Sequence, residues 1–196
     1  DNNHSFDLSG NTVFLGGNLT NYGSFNAIPS GPTSNPWQIV LNGSGNQTLF
    51  SNASPITLYN LRLEKASGNV MLSDNGSSDL IIKNNLEFAI GNNSLIEANI
   101  EVGRYVEMSS ITGVSNPQVI RNGLGHISGR LYRWIETGIQ NILFPVGANT
   151  IDEYRPVRFE TAGNDNTAGF IGVVAHNFDH PDILDAMIDT SNNIQK

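Results

Sequence analysis

The chain contains no cysteine, which removes disulfide staples and thiolate chemistry together. It is short of charge as well. Only 14% of its residues are Asp, Glu, Lys or Arg, against roughly 25% in ordinary soluble domains. What charge there is leans acidic, with a formal net charge of −8. Nucleic acid and anionic membrane surfaces call for clustered Lys and Arg, so neither is an expected partner. No apolar run approaches the ~18 residues of a membrane-crossing helix, so no membrane insertion is expected. The start, Asp1-Asn2-Asn3-His4-Ser5, has neither an initiator Met nor a basic-then-apolar leader. It reads as a processed or excised piece of something longer.

With charge so sparse, solubility falls to Asn, Ser, Thr and Gly; Asn alone makes up about one residue in seven, far above average usage. An acidic, Asn-rich composition with little Lys points to a secreted protein. Seven Asn-x-Ser/Thr triplets occur, at Asn3, Asn18, Asn42, Asn46, Asn52, Asn75 and Asn92. They are glycan acceptors in a eukaryotic secreted protein and chance matches in so Asn-rich a chain.

The first two thirds is a succession of short β-like runs, each closed by Gly, Asn or Ser. Thr12-Val13-Phe14-Leu15 runs into Gly16-Gly17-Asn18, and Ile39-Val40-Leu41 into Asn42-Gly43-Ser44. Later runs are Thr57 to Leu63, Val70 to Leu72, Leu80 to Ile82, Leu86 to Phe88 and Ile100 to Val102. Such spacing suits a chain winding in coils. Each coil then buries its apolar face only against its neighbours, so the architecture is a stack that needs no pocket. Leu61, Leu63, Val70, Leu72, Ile82, Leu86 and Phe88 are the expected inward columns. Asn at the coil corners tolerates left-handed backbone and can bond the next coil, which predicts Asn ladders. Pro29 to Pro36 holds three prolines and reads as a loop thrown out from the coil, with Trp37 packing the chain back down.

Around residue 120 the texture changes. His126 to Ile135 is longer and alternates basic with aromatic residues, and Ile142 to Gly147, Tyr154 to Phe159 and Gly169 to Ala175 follow. Longer strands at hairpin-like spacing predict an antiparallel module. The fold class expected is therefore all-β: a right-handed parallel β-helix or β-solenoid over 1–122, then an antiparallel β-sandwich-like module over 123–196 that ends truncated. The only candidate helix is a weak one, Asp182 to Met187. The polar tail 176–196 is expected to dock on another chain or to lead into a further β-module.

Three segments together resemble a known group. They are the coil texture of Gly10 to Asn21 and Leu41 to Thr48, the coil Leu58-Tyr59-Asn60-Leu61-Arg62-Leu63-Glu64-Lys65-Ala66-Ser67-Gly68-Asn69-Val70, and the order Ile127 to Leu131, Phe144 to Gly147, Tyr154 to Val157, His180 to Ile183. As a set they resemble the large repetitive, adhesin-like surface proteins of Bacteroidota exported through the type IX secretion pathway. The resemblance implies export, an extracellular or cell-surface location, a β-solenoid feeding into sandwich-like modules, and no catalytic residues. Such proteins carry a C-terminal sorting domain, and no segment here matches one.

Few constellations could carry chemistry. His176 and His180 would need a shared helix face to hold Zn²⁺, and Pro181 works against one. Asp179, Asp182 and Asp185 are weak Ca²⁺ candidates, because the alternating Asp/Asn loop with a central Gly is missing. The coil-region acids Asp7, Glu64, Asp74, Asp79, Glu87, Glu97 and Glu101 are scattered along the sequence; Glu97 and Glu101 fall near Arg104. They read as outer-face charges that discourage edge pairing. Arg130, Tyr132, Arg133 and Trp134, with Arg155 and Arg158, form the one basic-aromatic group. They are possible glycan contacts or module-packing residues. Nucleophile-elbow, phosphate-loop and dinucleotide motifs are absent. The sequence thus predicts a non-enzymatic structural or adhesive segment with no cofactor. Its expected partners are further modules of the same or a neighbouring chain, surface glycans or other cell-surface proteins. The alternative is a β-helix carbohydrate-active enzyme or a carbohydrate-binding module.

Overall fold

The structure, a computed structural model, describes residues 7–73, 79–91, 94–97, 104–109, 117–148, 154–163 and 167–176. Every regular element among them is a β-strand. The strands wind as a solenoid of five rungs. β1 (Thr12–Leu15), β2 (Leu19–Asn21) and β3 (Phe25–Ala27) make the first rung. β4 (Gln38–Leu41), β5 (Gln47–Ser51) and the start of β6 (Ile56–Glu64) make the second. The rest of β6, then β7 (Val70–Leu72) and the start of β8 (Leu80–Ile90), make the third. The rest of β8, β9 (Leu95–Glu97) and β10 (Tyr105–Met108) make the fourth. β11 (Gln118–Arg121), β12 (Ile127–Ser128) and β13 (Arg130–Ile135) make the fifth.

Each face is a parallel ladder. The first stacks β1, β4, β6, β8 and β11; the second β2, β5, β7, β9 and β12; the third β3, β6, β8, β10 and β13. β6 and β8 serve two faces each, and β6 bends between Leu58 and Asn60, where its register with β8 shifts. Period-2 alternation turns every second side chain inward. In the first face Ile39, Leu61 and Leu86 share one inward column, and Leu41, Leu63 and Phe88 another. All seven expected core residues, Leu61, Leu63, Val70, Leu72, Ile82, Leu86 and Phe88, are buried. Trp37 packs against this core where the Pro-rich loop ends.

Position 123, where the sequence texture changes, lies inside the fifth rung, because β12 and β13 still pair in parallel with β9 and β10. Antiparallel pairing begins after it. β14 (Asn141–Phe144) and β15 (Val157–Glu160) form a two-stranded sheet, and β16 (Gly169–Val174) returns antiparallel along β13. Val146 bridges Ile127 in parallel. Two of the three faces therefore gain a sixth layer at the C-terminal end.

Candidate functional site

Polar chemistry in the described residues collects at the coil corners and on two outer faces. At one corner Asn18, Asn46 and Asn69 each accept, on Oδ1, the backbone N–H of the next rung, from Thr48, Asn69 and Ser94, all at 2.9 Å. These are the Asn ladders that the sequence predicts. Each bond ties one rung to the next through an amide that turn chemistry had already placed there. Two of the Asn-x-Ser/Thr asparagines, Asn18 and Asn46, have their side-chain oxygens in this ladder. Asn3, Asn75 and Asn92 lie outside the described residues.

Beside the ladder sits a buried cation. Lys65 is fully buried, and its Nζ donates to Gly43 O at 2.7 Å, Gly45 O at 2.8 Å and Gln47 Oε1 at 2.7 Å. Gln47 in turn donates through Nε2 to Leu15 O and Gly17 O, and its Oε1 accepts from Gly43 N. One amide and one ammonium so satisfy carbonyls from the first two rungs. Burial pulls the Lys65 ammonium below the usual lysine range, but three acceptors take all three of its protons. The sequence shows Lys65 only as part of a turn cluster. Its position directly after an inward leucine run was the available signal.

On the outer side of the first face, Arg62 Nε meets Glu64 and Arg62 Nη1 meets Glu87, both at 2.8 Å. Asn122 donates to the other oxygen of Glu87. The two acids look scattered in sequence but meet at Arg62, because Glu87 is its register partner on the next rung, 25 residues on, and Glu64 lies two residues along the same strand. Two carboxylates, Glu64 and Glu87, thus flank one guanidinium. Glu101, and the side chain of Glu97, lie outside them; Arg104 turns instead to Asp79, 3.8 Å away.

The basic-aromatic group divides. Arg130, Tyr132 and Trp134 occupy the outward positions of β13, and Arg133, at the opposite phase, points inward with 6% exposure. Alternation along a strand requires this split. Arg133 donates to Leu143 O and Pro117 O and lies over the Phe144 ring, and burial lowers its pKa to about 10. It fastens the antiparallel segment to the end of the coils. Tyr132 meets Tyr105 edge-on at 5.4 Å, and Trp134 meets Phe170 edge-on at 5.1 Å. A Cβ at Gly172 would stand 2.5 Å from the Tyr132 ring, so glycine there is what lets that ring lie across β16. Trp134 Nε1 donates to Glu136 at 2.9 Å. Arg155 and Arg158 are exposed, and Arg158 donates to Asn141.

His126 closes the last corner, fully buried, with Nε2 2.7 Å from Ala148 O and Nδ1 3.3 Å from Ser94 Oγ. A carbonyl can only accept, so Nε2 carries the proton that it donates to Ala148 O. The nearby Tyr154 ring carries the Arg121 guanidinium at 4.0 Å. Asp179, Asp182, Asp185, His180 and the candidate helix from Asp182 to Met187 lie outside the described residues. Among the described residues no group of three or more His, Asp or Glu gathers to hold a metal ion. No protein-family model, no curated protein and no solved structure matches the chain.

Proposed function

We propose that this chain is a non-enzymatic structural and adhesive segment of a secreted bacterial cell-surface protein, of the repetitive Bacteroidota kind. The observation that supports it is where the polar side chains go. Lys65, Gln47, the Asn18–Asn46–Asn69 ladder, Arg62 and Arg133 all tie rung to rung or module to coil. That is the chemistry of a stiff spacer whose stability adds up rung by rung. Export and display at the cell surface belong to the same reading, with neighbouring modules as partners.

A second reading is carbohydrate recognition on the outer face of β13 and β16. Outward Tyr132 and Trp134, with Phe170 at 47% exposure, favour it. One experiment separates the readings. The purified chain is incubated with a panel of polysaccharides while product formation and tryptophan fluorescence are followed. No turnover and no fluorescence change is the result expected of a structural segment. Saturable fluorescence change lost in Trp134→Ala moves the assignment to a binding module. Turnover abolished by Glu87→Gln moves it to a β-helix enzyme using the Glu64–Glu87 pair.

A further inference from the structure

The corner that holds Lys65 is positioned by contacts that do not involve Lys65. Gln47 is clamped at both ends of its amide. Its Oε1 accepts from Gly43 N at 3.0 Å, and its Nε2 donates to Leu15 O at 2.9 Å and Gly17 O at 2.5 Å. Gly43 rests on the rung below, where a Cβ would stand 2.3 Å from Gly16 O. Gly45 is pressed from above by Gly68, whose Cβ would stand 2.3 Å from the Gly45 carbonyl carbon. Gly43 O, Gly45 O and Gln47 Oε1, the oxygens that meet the ammonium, are therefore each fixed by the coil itself. A site fixed in advance loses little freedom when it is filled.

The chemistry of this cage is selective. Oxygens at 2.7, 2.8 and 2.7 Å from one nitrogen match the three protons of a primary ammonium. A guanidinium is planar and forks its donors, and a quaternary ammonium has none to give, so neither matches. Among the described residues no carboxylate takes part. Between Asp7 and Arg62 the sequence has no Asp or Glu, and Glu64, the residue before Lys65, bonds to Arg62. Neutral dipoles alone hold the cation.

We infer that this corner is a preformed receptor for a primary ammonium ion, and that Lys65 is its ligand, supplied by the chain itself. The oxygens recognise the R–NH3+ group, and the fully buried methylene stem fills the space that leads to them. With the side chain cut back to Cβ the cage persists, open to a soluble alkylammonium ion of the same reach. Occupied from within, it leaves the coil indifferent to such ions; emptied, it makes rung stacking depend on them. The inference stands apart from the surface-protein reading, which holds or fails without it.

The test is rescue by a solute. Lys65→Ala removes the part of the side chain that n-propylammonium reproduces. That ion should raise the thermal midpoint of Lys65→Ala saturably and recover at least about half of what the substitution lost. The wild type should not respond. Tetramethylammonium at equal concentration should move neither chain, and Lys65→Arg should stay destabilised. Rescue of equal size by tetramethylammonium overturns the inference, because a general salt effect then explains it. So does a folded Lys65→Ala that n-propylammonium leaves unmoved. Should Lys65→Ala fail to fold, the wild type decides. With isotope-labelled lysine, the Lys65 ammonium protons should exchange with water far more slowly than those of the partly exposed Lys83. Truncating the cage in Gln47→Ala should speed them. Fast exchange at Lys65 in the wild type, or exchange indifferent to Gln47→Ala, overturns the receptor.

Discussion

Lys65 holds the sharpest energetic position of any side chain described. Its ammonium has left water entirely and is repaid by three oxygens from the corner of the rung below. Replacing it with the similarly long Met leaves Gly43 O, Gly45 O and Gln47 Oε1 buried with fewer donors. Lys65→Met is expected to lower unfolding stability by about 2–4 kcal/mol in urea titrations; a change near zero would mean that the corner is wet. Asp79 shows the opposite balance. Desolvation raises its carboxyl above the usual range, outweighing the Tyr105 N–H bond and the Arg104 charge. A carboxyl whose folded pKa is raised is most favourable to folding below its unfolded value. That advantage is lost as pH climbs through the folded value. The midpoint of Asp79→Asn minus that of the wild type should therefore increase from about pH 3 to about pH 6. A difference that shrinks over that range contradicts the burial argument.

At the scale of the element, rung stacking is enforced by how closely the corners approach. Gly68 adopts a φ of +74°, and a Cβ there would stand 2.3 Å from the Gly45 carbonyl carbon one rung below. Gly169, on β16, has no atom within 4 Å of its would-be Cβ. Gly68→Ala should cost about 2 kcal/mol or more, and Gly169→Ala should change stability by less than about 1 kcal/mol. Thermal melts of both in parallel check the pair; equal effects would mean that the corners are not in contact. The strands themselves were legible in sequence, because short alternating runs bounded by Asn and Gly leave few other architectures, and the inward residues followed from period 2. Which side chains meet across rungs was not. Arg62 and Glu87 become neighbours only once the register is known, and the spacing of rung partners varies, from 22 residues for Gln38 and Asn60 to 33 for Leu86 and Val119, so no constant repeat reveals it. Arg133 shares charge and aromatic neighbours with Arg130, Tyr132 and Trp134 in sequence, but its phase on β13 opposes theirs.

On the scale of the whole molecule, each rung touches only the rungs above and below, so opening propagates from an end inward. The C-terminal end is fastened by β16, the Ile127–Val146 bridge, His126 on Ala148 and Arg133 on Leu143. Among the described residues, the N-terminal end has Leu8 and the edge of β1. Amide hydrogen exchange should consequently follow a gradient. Protection should be weakest in β1 and β2, strongest in β6 and β8 at the centre, and intermediate in β13. Uniform protection along the chain would show that the solenoid unfolds as one cooperative block.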